Sequence, residues 1–211
     1  MRMRKKPNLL PRMTQCASLL IEEPAVRKGA WRALMPTATA VWLEIGCGKG
    51  GFTAETAERN PDILYLALER VPDAMVVAME RVMERGLSNV RFIDGDAATL
   101  TAFFAPGEVD RIYINFCDPW PSNRHAKRRL THPDFLNRYR AILSPGGEVH
   151  FKTDNHDLFS WSLFQFPKTG FSLSEVSYHL HGEGVCGVMT DYEAKFHAMG
   201  LPIHRCVARM E

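Results

Sequence analysis

The segment Asn115-Phe116-Cys117-Asp118-Pro119-Trp120-Pro121 sets a carboxylate beside an indole and brackets that indole with two prolines. Proline fixes its own backbone and restrains the residue before it, so acid and ring are held in one relation. A planar, electron-rich substrate suits that pair. Upstream, Leu43-Glu44-Ile45-Gly46-Cys47-Gly48-Lys49-Gly50-Gly51 satisfies both G-x-G-x-G and the dinucleotide fingerprint G-x-G-x-x-G. A pyrophosphate favours bare N–H groups at a helix start, and an acid two residues before the first glycine opposes it. Glu44 therefore favours a cationic ligand over a nicotinamide dinucleotide. S-adenosylmethionine carries a sulfonium and an ammonium, its ribose hydroxyls suit the acid Glu69, and Asp96 is expected at its adenine edge. Taken singly, each acid also reads as a solvated strand end or a helix cap. Four acids in register (Glu44, Glu69, Asp96 and Asp118) weigh against that reading.

Ser122-Asn123-Arg124-His125-Ala126-Lys127-Arg128-Arg129 follows immediately and is strongly basic. Charge runs are usually solvated surface, but this one begins at the rim of the expected site. Guanidinium groups engage phosphates in bidentate fashion, so a polynucleotide passing Asp118 is the better reading. Phe151-Lys152-Thr153-Asp154-Asn155 brings an acid and an amide to another strand end. Thr190-Asp191-Tyr192-Glu193 offers a hydroxyl, a phenol and carboxylates at a helix start, where Thr190 with Glu193 equally matches a capping box. The eight histidines show no metal-ligand spacing, and no Ser/His/Asp or Cys/His arrangement is defensible, so no metal is expected.

These residues need a scaffold that collects strand ends. From Val41 onward, β-branched and aliphatic runs alternate with helical periods, the pattern of an α/β fold with a mostly parallel sheet and helices on both faces. Strands are expected at Val41–Ile45, Ile63–Glu69, Val90–Asp94, Val109–Phe116, Glu148–Thr153, Ser172–Leu180 and Ile203–Ala208. The last pair is expected to be antiparallel near one edge of this seven-stranded sheet. Helices fall between them, including Pro72–Arg85, whose methionines read as core. The chain of 211 residues is 45% hydrophobic, enough for one core, so residues 36–211 read as one domain. Residues 1–35 read as a basic arm with a short helix over Val26–Met35, Met1–Lys6 being mobile. No apolar run is long enough to span a membrane and no targeting segment is evident. Five scattered cysteines suit reduced thiols and a cytoplasmic setting. The net charge of +2 conceals basic clusters at Met1–Arg12 and Arg124–Arg129 on an otherwise acidic chain, which permits local contact with a polyanion.

In order and spacing, the glycine loop, Asp118-Pro119-Trp120-Pro121, the basic run, Phe151 to Asn155 and Thr190 to Phe196 together resemble the tRNA (guanine-N7-)-methyltransferase family. The resemblance runs from about Lys28 onward. It implies a Rossmann-like class I methyltransferase that uses S-adenosylmethionine to methylate N7 of guanine 46 in the tRNA variable loop. By the same resemblance Glu44, Gly46, Gly48, Glu69, Asp96 and Asp118 contact the cofactor region, with Asp118 catalytic. Ser122, Asp154, Thr190, Asp191, Tyr192 and Glu193 contact substrate, and Arg124, His125, Lys127, Arg128 and Arg129 contact RNA. Ser122 departs from the lysine usual in the family. The partner is tRNA, with no obligate protein partner, the chain being a monomer or homodimer. The rival readings are a nicotinamide enzyme, a methyltransferase of another substrate and a noncatalytic tRNA-binding protein.

Overall fold

In β3 (Ile63–Glu69) every residue is buried, as expected of a strand covered on both faces. The computed structural model describes residues 7–211 and places this strand inside a sheet of eight. The others are β1 (Leu20–Ile21), β2 (Ala40–Ile45), β4 (Val90–Asp94), β5 (Val109–Asn115), β6 (Leu143–Thr153), β7 (Phe171–Ser177) and β8 (His204–Met210). Their spatial order is β1-β4-β3-β2-β5-β6-β8-β7, with β8 antiparallel to both neighbours and the remaining pairs parallel. The order reverses at β2 and β5. In open α/β sheets that reversal leaves a crevice beyond the carboxyl ends of the strands.

The helices are α1 (Leu9–Gln15), α2 (Gly51–Arg59), α3 (Pro72–Glu84), α4 (Leu100–Phe103), α5 (Pro133–Ile142), α6 (His156–Lys168) and α7 (Asp191–Ala198). Proline opens α3; Met83, expected in the core, is 45% exposed, whereas Met75, Met79 and Val82 are buried along the helix. They pack with Tyr65 and Phe92 on one face of the sheet. On the other face Leu43, Leu66, Ile112 and Phe151 pack against α5 and α6 through Leu136, Tyr139, Phe159 and Phe166.

Several expectations are corrected. The sheet has eight strands instead of seven, because Leu20–Ile21 pairs in parallel with Phe92 and Ile93 of β4. Val26–Met35 forms no helix: two short 3₁₀ turns, Pro24–Arg27 and Trp31–Leu34, flank Gly29, whose φ of 84° breaks any helical run. Ser144 to Gly147 lies inside β6, where pairing slips from Val109↔Leu143 to Arg111↔Glu148. In β7 the register shifts between Ser174 and Ser177, and Glu175 there adopts φ 49°. The expected mobility of Met1–Lys6 lies outside the described residues. Among the described residues no helix is long and apolar enough to cross a membrane. All five cysteines are free thiols.

Candidate active site

At the switch between β2 and β5 lies a cleft of about 540 Å³, lined among others by Gly46, Glu69, Asp96, Asn115, Asp118 and Trp120. The glycine loop forms one wall. Gly46 and Cys47 donate to the Leu68 carbonyl (2.8 and 3.2 Å), which binds the loop to the end of β3. Gly48 (φ 57°) donates its N–H to Glu69 Oε2 at 2.9 Å. Glu69 Oε1 accepts from the N–H groups of Arg70 and Val71 (2.9 and 3.0 Å), so this carboxylate fixes the loop while Oε2 keeps accepting capacity toward the cleft. Asp96 caps the turn that follows β4, accepting from Ala98 N at 2.9 Å, and lies 3.5 Å from Arg70 Nη1.

Glu44 sits deeper. It is 2% exposed, and its carboxylate accepts from Thr53 Oγ1 (2.6 Å), Tyr65 OH (3.2 Å) and Asn115 Nδ2 (3.4 Å). Burial raises its pKa above the usual carboxylate range, against the pull of those donors. Its neighbour Asn115 does face the cleft. The buried Oδ1 of Asn115 has no hydrogen-bond partner among the described residues. A buried acceptor left open costs free energy, and a ligand carrying an ammonium or other donor fits it.

Beyond β5 the chain takes two non-glycine residues into positive φ, Phe116 (54°) and Trp120 (42°), on either side of Asp118. Strain of this kind persists only where the surroundings impose it. Phe116 N donates to the Lys152 carbonyl at 2.9 Å. On the other side Arg129 donates to the carbonyls of Pro119 and Trp120 (3.2 and 3.0 Å) while its guanidinium stacks 4.5 Å from the Trp161 ring. The Asp118 side chain is thereby presented at the surface of a clamped turn. Cys117 beneath it is no nucleophile, its thiol being pushed up to about 12 by burial and then by the Asp118 charge.

This chain matches a family model described as putative methyltransferase over residues 38–206. It is 44% identical to the tRNA (guanine-N(7)-)-methyltransferase of Bacillus velezensis over 206 residues, covering 97% of this chain and 95% of that protein. The proteins of the same name from Geobacillus kaustophilus (99% and 96% covered) and Bacillus subtilis (97% and 97%) are also 44% identical. The chain belongs to the tRNA (guanine-N(7)-)-methyltransferase family. Among solved structures, the 16S rRNA methyltransferase KamB superposes with a TM-score of 0.68 at 17% identity, over 87% of this chain and 93% of that one. A variant of the 16S rRNA (adenine(1408)-N(1))-methyltransferase of Catenulisporales acidiphilia, with cosubstrate SAM, gives 0.61 at 12% identity, over 86% and 90%. These likenesses show the class I methyltransferase fold.

Within this family member the expected site residues divide. Gly46, Glu69, Asp96 and Asp118 meet in the cleft, and Gly48 braces it through Glu69. Glu44 lies behind the wall. Lys127 and Arg128 line the rim, Arg128 stacking 4.8 Å from Trp120, while Ser122, Arg124 and His125 are exposed beside it. Arg129 is corrected: it is 6% exposed and spends its donors on the turn, leaving little for RNA. Tyr192 lies against Phe116 (5.2 Å between ring centroids), and its hydroxyl reaches Asp154 Oδ2 at 3.5 Å. Burial, with the Asp154 charge, raises the phenol pKa. Asp191 instead turns to Arg81 of α3 at 2.7 Å, in a separate surface depression.

Thr190 and Glu193 form the capping box, each side chain bonding the other's backbone N–H (2.9 and 3.1 Å). Glu193 is fully buried, bound also by Lys152 Nζ (2.7 Å) and His181 Nε2 (2.9 Å), so the substrate contact expected of it is corrected to an internal one. Burial lowers the Lys152 pKa while Glu193 raises it. Sequence reasoning missed Asn115, Lys152 and His181. Lys152, beside Phe151 at the end of a strand expected inside the sheet, was a signal, since a buried cation demands an acid. For His181, in a loop, there was none.

Proposed function

We propose that the chain methylates N7 of guanine 46 in the tRNA variable loop, in the cytoplasm, with S-adenosylmethionine as methyl donor. The observation that carries this reading is one cleft that joins Glu69, Asp96 and Asn115 to Asp118 and ends in the basic rim of Lys127 and Arg128. The cofactor, when bound, supplies an electrophilic methyl group on a positively charged sulfur. Glu69 Oε2 and Asp96 would accept hydrogen bonds from hydroxyl and adenine donors, and Asn115 Oδ1 would accept one from an ammonium group. Guanine N7 holds a lone pair and no proton, so no base is needed to create the nucleophile. Asp118 orients the purine and offsets the positive charge it gains, and the clamped turn holds Asp118 and Trp120 in place for that task. Arg124, Lys127 and Arg128 hold phosphates, which a small-molecule substrate would leave unexplained.

The test is transfer of labelled methyl from S-adenosylmethionine to unmodified tRNA, with the labelled base mapped. Label at N7 of guanine 46, and loss of transfer in Asp118→Ala with tRNA binding retained, are the expected results. Label at another base or atom, or an Asp118→Ala enzyme of undiminished rate, overturns the assignment.

A further inference from the structure

Tyr178 is a large aromatic residue left 46% exposed, yet its position is set on every side. Its ring meets Phe159 edge-on at 5.1 Å, His204 at 5.5 Å and His156 at 5.5 Å. The His204 ring bonds the Tyr178 carbonyl through Nδ1 at 2.8 Å, and Leu180 N donates to Ile203 O at 2.8 Å. An exposed ring that has already lost its rotamer freedom is preorganised for a contact.

The backbone reaches this arrangement through the irregularity in β7. Ser174 faces Val207 and Ser177 faces Arg205, so β7 spends one residue more than β8 over that interval. The extra residue lies beside Glu175, held at φ 49°. One inserted residue exchanges the two faces of a strand from that point on. Without it, Tyr178 would share the face of Ser174; with it, Tyr178 turns to the face where α6 supplies His156 and Phe159. Because β7 runs in the direction of β6, its end lies on the same rim as Asp154. His156 follows Asp154 by two residues, and Asp154 meets Tyr192, which lies on Phe116 of the cleft.

We propose that Tyr178, supported by His156, is a stacking platform for an unpaired nucleotide of the RNA substrate, flanking the base that enters the cleft. It rests on the proposed tRNA substrate. Bases displaced from a fold stack on exposed aromatic rings with little sequence preference, and a nucleotide beside the target needs such a seat when the local tRNA fold is loosened. The neighbouring histidines suit an RNA face better than a lipid or apolar peptide.

Tyr178→Leu keeps apolar packing on Phe159 and removes the π face, while Tyr178→Trp restores one. The expected result is a rise of about 5- to 100-fold in the Kd and KM for tRNA in Tyr178→Leu. Tyr178→Trp should bind as the parent does. Calorimetric affinity for S-adenosylmethionine and the slope of log Kd against log salt should stay unchanged, since no phosphate contact is removed. His156→Ala, at an exposed position, should weaken tRNA binding in the same direction by less, and it stands in if Tyr178→Leu does not fold. Parental tRNA affinity in a folded Tyr178→Leu, or in His156→Ala where Tyr178→Leu does not fold, overturns the platform alone. So does a loss that Tyr178→Trp does not restore. A parent enzyme without transfer to tRNA overturns the functional reading and the platform with it.

Discussion

Arg128 and Arg129 are neighbours in the chain with different surroundings. Arg128 stacks on Trp120 at the open rim, whereas Arg129 is turned inward to the carbonyls that shape the Asp118 turn. Arg128→Ala should weaken tRNA binding and flatten the slope of log K against log salt by about one, as filter binding across a salt series would register. Arg129→Ala should leave that slope alone and lower both Tm and kcat, costing about 2–3 kcal/mol for charged hydrogen bonds lost from a strained turn. Composition marks both residues as cations, and nothing in the sequence tells which one the turn will claim. The same limit explains Glu193: its spacing from Thr190 matches a capping box, but the partners that bury it, Lys152 and His181, come from distant segments. Asp118 was legible because its prolines and tryptophan are local.

At the level of elements, the glycine loop and the polar side of β6 each carry a measurable consequence. Gly50 begins the turn into α2 at φ 73°, and a Cβ there would lie 2.5 Å from Ala78 Cβ of α3. Gly50→Ala should therefore force α2 and α3 apart and destabilise the fold by about 2–4 kcal/mol in urea unfolding. In β6 the His150 ring is held down to about 4, chiefly by burial, against the raising effect of its bond to Glu148. Burial pushes Glu148 up, yet hydrogen bonds from His150 and Arg209 hold it at about 2. Both folded values lie below the unfolded ones, so the unfolded chain binds more protons and stability falls on acidification. The His150 share is lost from about pH 6.5 down to 4 and the Glu148 share from about 4.5 down to 2. His150→Gln should show a smaller fall in urea midpoint between pH 7 and 5 than the parent chain. The strands themselves were readable from their apolar runs. Leu20–Ile21 was not, since two residues carry no period and their pairing with β4 is made far away in sequence.

Across the whole molecule, the core reaches into the residues just ahead of β2 through Trp31 and Ala38. Trp31 is fully buried, stacks 5.0 Å from Phe104 and donates its Nε1–H to the Phe103 carbonyl at 2.9 Å. Trp31→Ala should cost about 3–5 kcal/mol and lower Tm by roughly 10 °C in calorimetry. The near-neutral total of +2 also resolves at this scale: Glu69, Asp96 and Asp118 gather at the cleft, and exposed cations stand at its rim. The order of the sheet, finally, bears on how the chain is made. β8 lies between β6 and β7 although it follows both, so β7 has no partner, and β6, paired on one side with β5, keeps its other edge open until His204 to Met210 has been synthesised. On the ribosome, the half built around β2, β3, β4 and β5 can close early. Until β8 is made, the outer edge of β6 and both edges of β7 stay open, the interval in which a nascent chain is most exposed to aggregation and to chaperones.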